Sequence, residues 1–256
     1  VKDYFITYEK NVFCFEGYNS TKWRKEIYPA YKANRDSRKE DPNYAVQKKI
    51  FPLVEQFLKL FSGMVLRVDN CEGDDCIYAA AKYFTNKGEQ VNIISSDGDL
   101  KQIMNFFDGV TIYNPIKGVN VPKNENILIE KAMIGDTSDN IKGVPKIGAK
   151  TLEKMLQDNE FYAKKMTPEN VEVFNTIMKI VDLRLYPKQY QDAIFEVLER
   201  EEWNEFKKME IEAFFVQYGL KQCLDEWHSI SGQIEMLLNG NAKVAAESEL
   251  EELLNG

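Results

Sequence analysis

The chain has 256 residues, 44% of them hydrophobic and 29% charged, with a formal charge of −8; this is enough for one large or two smaller domains and ordinary for a soluble globular protein. No apolar run approaches the roughly 20 residues of a membrane span and no secretory leader pattern opens the chain, so no membrane partner is expected. Four cysteines without CxxC spacing favour a reduced, intracellular, cytoplasmic setting, and a single histidine, His228, argues against His-based zinc or triad chemistry.

In chain order, NVFCFEG (11–17) is apolar and β-prone and reads as a strand with Glu16 at its C-terminal tip. Residues 18–42 are polar, basic and aromatic, open to one or two short helices or a loop. Between Lys22 and Lys39 stand seven basic residues, among them Arg24, Lys25, Lys32 and Arg35, against Glu26 and Asp36, so the acidic net charge conceals a basic stretch. A solvated basic surface remains the bland alternative.

Residues 43–62 place Val46, Ile50, Leu53, Val54, Phe57, Leu58 and Phe61 at helical spacing and predict a core-facing helix despite Pro52. MVLRVD (64–69) reads as a strand, and CEGDDC leads into an apolar helix that Gly88 ends. VNIISS (91–96) reads as a buried strand, followed by DGD, a helical LKQIMNFF and the strand VTIYNP (110–115). This alternation predicts an α/β fold with a parallel sheet up to about residue 115. Beyond Val121 the pattern turns helical: helix, hairpin and helix over 124–156, then helices over 166–184, 189–200 and 203–225. The tail after Gly240 is acidic, with Leu250, Leu253 and Leu254 spaced for a short amphipathic helix that would take a partner, or for a frayed terminus.

Each candidate strand ends in acids: Glu16; Glu72, Asp74 and Asp75; Asp97 and Asp99. In open α/β sheets the site lies beyond the carboxyl ends of the strands, so these groups are expected in one crevice. Asp136 and Asp139, three apart at the end of a helix, close it from the other side. DGD is also an ordinary turn, and Asp74 and Asp75 are also plausible helix N-caps. Together these carboxylates form an oxygen site suited to Mg²⁺ or Mn²⁺, and two such ions fit in-line displacement at phosphorus. GVPKIGAKT, with Lys142, Lys146 and Lys150, reads as a tight hairpin opening a helix, whose N–H groups and dipole suit a phosphate.

Four motifs, FEGYNSTKWRKEIYPAYKANR, CEGDDC, ISSDGDLKQI and GDTSDNIKGVPKIGAKT, resemble in order and spacing the 5′-nuclease superfamily: flap endonucleases, bacteriophage 5′–3′ exonuclease/RNase H proteins and the 5′-nuclease domain of DNA polymerase I. The likeness covers roughly residues 11–155 and is most like the bacteriophage enzymes. It implies a PIN-like nuclease core over 1–118 with a basic arch near 18–42, a helical domain with a helix-hairpin-helix (H3TH) element over 119–240, and an acidic tail over 241–256. It further implies a first metal on Glu16, Glu72 and Asp74, with Asp97 near both metals, and a second on Asp99, Asp136 and Asp139, Asp75 lying beside the cluster. Tyr31, Lys32 and Arg35 fall on the gateway that steers and activates the scissile phosphate. Arg24 and Lys25 are further DNA contacts, and Lys142, Gly143, Val144, Pro145, Lys146, Ile147, Gly148 and Lys150 grip duplex, with K⁺ bound there in relatives. The implied activity is structure-specific 5′-nuclease action during replication, in a bacterial or phage-infected cell. The implied partners are branched, nicked or 5′-ended duplex DNA, RNA–DNA hybrids, and a replication protein at the tail; a monomer is expected.

Two departures are visible. The family pattern begins with a strand carrying an Asp-Gly pair and a metal-binding Asp, and none precedes NVFCFEG, whether from a chain short of its first tens of residues or from a variant. Position 16 is Glu where most relatives have Asp. A non-catalytic DNA-binding module and a metal-dependent phosphatase therefore stay open beside the nuclease.

Overall fold

A computed structural model describes residues 10–35 and 42–236 of the chain. The opening VKDYFIT, the basic residues Arg38 and Lys39, and the acidic tail lie outside the described residues. Two compact units emerge, one from residues 14–45 and 66–200, the other from 10–13, 46–65 and 201–236 of the described chain.

Among the described residues five strands form two sheets. β1 (Val12–Glu16) and β2 (Met64–Val68) pair with each other. β3 (Val91–Ile94) and β4 (Val110–Asn114) run parallel in register Ile93 to Ile112, and the two-residue β5 (Val119–Asn120) pairs antiparallel to β4. The expected parallel α/β core is thus present but small, with β1 and β2 in a sheet of their own. Of β3 only Ile93 is buried, so the strand read as buried throughout is half covered.

The helices of the first unit follow from their apolar spacing. α1 (Lys22–Ile27) is short; α2 (Pro42–Leu58) begins here and continues into the other unit; α3 (Gly73–Asn86) buries Cys76, Ala79, Ala80 and Phe84 on one face. Gly88, at φ +80°, ends that helical segment in the conformation glycine tolerates best. A 3₁₀ helix over Asp99–Asn105 buries Leu100 and Ile103, which with Leu66 and Ile112 are almost wholly excluded from solvent. Each such side chain contributes about 1.5–3 kcal/mol relative to exposure.

The helical part of this unit comprises α4 (Ile127–Ile134), α5 (Ala149–Gln157), α6 (Asn159–Lys165), α7 (Pro168–Val181) and α8 (Lys188–Glu199). Val144 and Ile147, from the loop between α4 and α5, are buried with Met133, Leu152 and Met155. The hairpin is therefore pegged to its flanking helices by its own apolar residues. Its closure needs two glycines back to back: a Cβ on Gly143 (φ +69°) would stand 2.4 Å from the Ile134 carbonyl carbon, and one on Gly135 (φ +93°) 2.4 Å from the Ile141 oxygen. No side chain fits there.

The second unit has an aromatic core. Phe61, Phe214, Phe215, Trp227, Ile211 and Ile234 are buried together, with Leu53 and Phe57 of α2 packed against them. Part of the expected core-facing stripe of α2 is not covered, since Val46, Ile50 and Val54 are exposed. The predicted 203–225 helix is broken at Gly219 (φ +66°) into α9 (Lys208–Gln217) and a helical stretch over 221–236. Among the described residues no helix is long and apolar enough to cross a membrane.

Candidate active site

The acidic strand ends converge in the first unit. Glu16, Glu72, Asp74, Asp97, Asp99 and Asp139 line one cleft of about 390 Å³, together with Lys32 and Arg35. Each acid is brought there by a local device. At the end of β1, Gly17 lies so close to β2 that a Cβ would fall 1.9 Å from the Val68 oxygen, and its N–H donates to Cys71 O at 3.0 Å. Only glycine allows that approach, which brings the Glu16 end of β1 beside the Cys71–Asp75 turn. Glu72 and Asp74 sit at the N-terminus of α3, where the helix dipole favours negative charge.

Asp97 and Asp99 are arranged by a turn rather than by an extended strand: the Asp99 N–H donates to Asp97 Oδ1 at 2.9 Å and Asp99 starts the 3₁₀ helix. DGD is therefore both an ordinary turn and part of the cleft. Asp136 and Asp139 also converge for a reason other than the one expected. The helix has already ended at Ile134, and the two acids belong to a tight turn closed by reciprocal bonds between Asp136 and Ile141 (2.8 and 2.7 Å). Asp136 Oδ1 accepts from the Ser138 N–H and hydroxyl, both at 2.7 Å. Oxygens of Asp99, Asp136 and Asp139 all lie within 4.8 Å of one another.

The segment Tyr28–Arg35 is fastened to that turn. Asn140 Nδ2 donates to Ala30 O (2.7 Å), Lys32 N–H to Asp139 O (2.9 Å) and Asn34 Nδ2 to Thr137 O (3.0 Å). The Lys32 ammonium contacts Glu72 and lies 3.8 Å from Asp139; Arg35 reaches Asp139 Oδ1 at 2.9 Å. Both cations therefore project onto the acids. Tyr31 is buried, and its hydroxyl donates to Glu72 Oε2 at 2.8 Å, so it orients that carboxylate from behind.

Two predicted residues fall elsewhere. Arg24, expected among DNA contacts, is 2% exposed. Its guanidinium makes a bidentate pair with Asp75 (2.9 and 2.6 Å), reaches Glu72 at 2.8 Å and donates to Ile180 O at 3.0 Å. No donor faces solvent for a phosphate. Asp75, expected beside the metal ligands, is fully buried, spent on Arg24 and on the Glu72 N–H at 2.9 Å, half of a capping box. Lys25 is partly exposed on α1. In the hairpin Lys142, Pro145, Lys146, Gly148 and Lys150 are exposed, Val144 and Ile147 buried, and α5 begins at Gly148 with no side-chain cap.

One functional side chain was missed. Lys131, on α4, places its ammonium among Asp99, Asp136 (3.0 Å) and Asp139 (3.2 Å). The available signal was a Glu-Lys pair set among apolar residues in ILIEKAMI, its lysine five and eight positions before the two acids.

The electrostatics divide the acids. Burial alone would raise the Glu72 carboxyl, but Arg24 and Lys32 hold it below the usual range. For Asp136, bonds from Ser138 and the Lys131 ammonium outweigh burial and bring it down to about 2. Asp99 is raised, by burial first and by Asp97 and Asp139, against the pull of Lys131. Asp74 is pushed up to about 7 by burial, then by Asp97 and Glu72. An unfolded Asp titrates near about 4, so the metal-free folded chain keeps this proton between about pH 4 and 7, and stability falls as pH rises through that window. Asp74→Asn is accordingly expected to melt several degrees higher than the parent in EDTA at about pH 8, the gap closing toward about pH 4. Calorimetry at both pH values checks this; equal melting at the higher pH would show that the ionised carboxylate carries no such cost.

All-oxygen donors, three of them within 4.8 Å, and no histidine lining the cleft, fit a hard divalent cation. Several known proteins bear likeness to this chain. A 5′-3′ exonuclease of Buchnera aphidicola subsp. Schizaphis graminum is 30% identical over 195 residues, covering 68% of this chain and 59% of the relative. DNA polymerase I of Bacillus caldotenax is 27% identical over 255 residues, covering 91% of this chain but 28% of the polymerase. The chain thus spans less than two thirds of the length of these curated relatives. Among solved structures, the T5 D15 protein co-crystallized with metal ions aligns with a TM-score of 0.60 at 21% identity, covering 75% of this chain and 86% of that one. The bacteriophage T5 D15 flap endonuclease in a pseudo-enzyme-product complex with DNA and metal ions aligns at 0.58 and 20% identity, covering 74% and 83%. These two show a shared fold. Residues 3–134, more than half of the chain, match the family described as 5′-3′ exonuclease, N-terminal resolvase-like domain, and the chain belongs to that family.

Proposed function

We propose that the chain is a structure-specific, divalent-metal-dependent 5′-nuclease, cutting phosphodiester bonds near single-strand/duplex junctions as a flap endonuclease and 5′–3′ exonuclease. The observation that carries this reading is the meeting, in one cleft, of six carboxylates from separate strand and turn ends with the cations of Lys32 and Arg35. Glu16, Glu72 and Asp74, with Asp97 beside them, would hold one ion, and Asp99, Asp136 and Asp139 a second, Mg²⁺ or Mn²⁺ by donor type. Bound there, such ions supply a nucleophilic water at neutral pH and neutralise charge on the leaving oxygen.

The chain's own residues do the rest. Lys32 and Arg35, facing the acids across the cleft, would orient a phosphodiester by its non-bridging oxygens, and the Arg35 fork suits that geometry better than a point charge. Tyr31 and Arg24 hold Glu72 in position. The helix-hairpin-helix element over 142–150 would grip duplex through the uncapped first turn of α5 and through Lys146 and Lys150, with K⁺ as a further ligand. In functional terms residues up to 118 supply most of the acids and 119–240 the anchor. RNA–DNA hybrids, a replication protein at the tail and a monomeric state belong to the same reading.

The test is incubation of the full chain with an end-labelled duplex bearing a 5′ single-stranded flap. Cuts at or near the junction are expected with Mg²⁺ or Mn²⁺ and none with EDTA, and duplex affinity should fall steeply with salt. Binding without cleavage in either metal would favour the non-catalytic module. Hydrolysis of a small phosphomonoester with the flap left intact would favour a phosphatase.

A further inference from the structure

We propose that Lys131 is an exchangeable internal cation: its ammonium occupies the second acidic group in the metal-free protein, and a divalent ion enters there only as the ammonium withdraws into the adjoining groove. The inference rests on the metal-dependent reading above and adds a specific role for one residue. Among the described residues Lys131 alone touches all three acids, contacting Asp99 and lying 3.0 Å from Asp136 and 3.2 Å from Asp139. It is 9% exposed, so water screens the arrangement little. The remaining oxygen of Asp139 is bonded to Arg35 at 2.9 Å, leaving that carboxylate fully engaged by protein cations.

A doubly charged ion and an ammonium in contact with the same oxygens repel each other strongly where water is scarce. One has to leave. The structure provides room for the ammonium: the Lys131 stem lines a groove of about 620 Å³, on whose wall Glu130 also lies. The Glu130 carboxylate accepts one bond from Asn124 (2.9 Å) and has acceptor capacity left for another donor. In the other group Lys32 and Arg24 engage Glu72, but Glu16, Asp74 and Asp97 have no ion-pair partner among the described residues. An ion entering beside them therefore meets a protein cation on one acid only, where Lys131 engages all three of the second group. The two divalent ions should therefore bind unequally, the weaker at Asp99, Asp136 and Asp139.

The measurement is calorimetric titration of the full chain with Mn²⁺ alone. The parent is expected to bind in two steps, with Asp136→Asn removing the weaker. Lys131→Met, of similar length and no charge, is expected to tighten that weaker step by at least about tenfold and leave the stronger one unchanged, whereas Lys131→Arg retains the weak step. Without Lys131, Asp99 and Asp136 lose their ion-pair partner among the described residues and Asp139 keeps Arg35, so Mn²⁺ is also expected to raise the melting temperature of Lys131→Met more than that of the parent. Should Lys131→Met fail to fold, Lys131→Gln makes the same two comparisons with a donor retained. Two-step uptake with identical isotherms in parent and Met variant, or a weakened second step in the variant, overturns the inference and leaves the nuclease reading standing. No Mn²⁺ uptake by any of the proteins overturns both.

Discussion

Replacing Asp99 by alanine is expected to lower metal-dependent cleavage of a 5′-flap by at least about 10³-fold while changing duplex affinity by no more than a few-fold. Loss of several kcal/mol of charge stabilisation at a metal-assisted centre converts to that factor. Asp99 is a severe choice because, like Asp139, it belongs to two groups at once: it lines the cleft with Glu16, Glu72, Asp74 and Asp97, and it shares the 4.8 Å cluster with Asp136 and Asp139. Its removal also leaves Lys131 one carboxylate short. Asp74→Ala is expected to match it in rate from the opposite end of the cleft. On the proposed reading the hairpin, outside the acidic cluster, would anchor duplex through its own backbone and lysines, so binding should survive. Flap cleavage under single turnover, paired with an equilibrium binding measurement in Ca²⁺, separates the two quantities. Cleavage by Asp99→Ala within tenfold of the parent would remove this carboxylate from the site.

Arg24→Met is expected to destabilise the metal-free fold by about 3–5 kcal/mol, the usual consequence of removing one partner from a buried ion pair. The size follows from how completely the guanidinium is used. It is bonded to two carboxylates and to the Ile180 carbonyl, and Trp23 stacks on it at 4.2 Å. Without it, Asp75 keeps only the Glu72 N–H and stays fully buried. Glu72 retains Lys32 and Tyr31, so the loss should fall mainly on Asp75. The double variant with Asp75→Leu is therefore expected to recover a large part of the stability, since a neutral apolar pair carries no unpaired charge. Urea unfolding in EDTA measures both. A single variant within about 1 kcal/mol of the parent would mean that Asp75 finds solvent or a proton on its own.

Much of the cleft was legible because its residues obey local rules that a sequence exposes. Apolar runs of four to six residues marked the strands, and the acids that follow each run mark strand ends. Their convergence is expected from strand order, but Gly17 and the Asp97–Asp99 turn, which complete it, are local devices no strand order reports. Where tertiary partners decide, the reading failed. Arg24 and Arg35 look alike in a count of basic residues, yet one is buried between Asp75 and Ile180 and the other faces the acids. The doubled acid of CEGDDC held a clue, because a second buried aspartate needs an internal cation. Asp136 and Asp139 were grouped rightly through a helix that ends before them; Gly135 and Gly143 were visible as turn formers, but the Asp136–Ile141 closure is a pairing no periodicity reports. Spacing likewise marks an apolar face at Val46, Ile50 and Val54 without saying whether anything covers it.

The pairing of acids and cations has a consequence for the order of events. Eight carboxylates, Glu16, Glu72, Asp74, Asp75, Asp97, Asp99, Asp136 and Asp139, share their surroundings with four cationic side chains, Arg24, Lys32, Arg35 and Lys131. At full ionisation the surplus is four negative charges, the quantity two divalent ions would cancel. Until then the cleft would repel a polyanion, and a nucleic acid held at the hairpin, as proposed, would meet a like-charged surface where its phosphodiester has to sit. On the proposed nuclease reading, electroneutrality would then set a sequence of assembly, ions first and backbone second, and would guard a strand that arrives early against being drawn in.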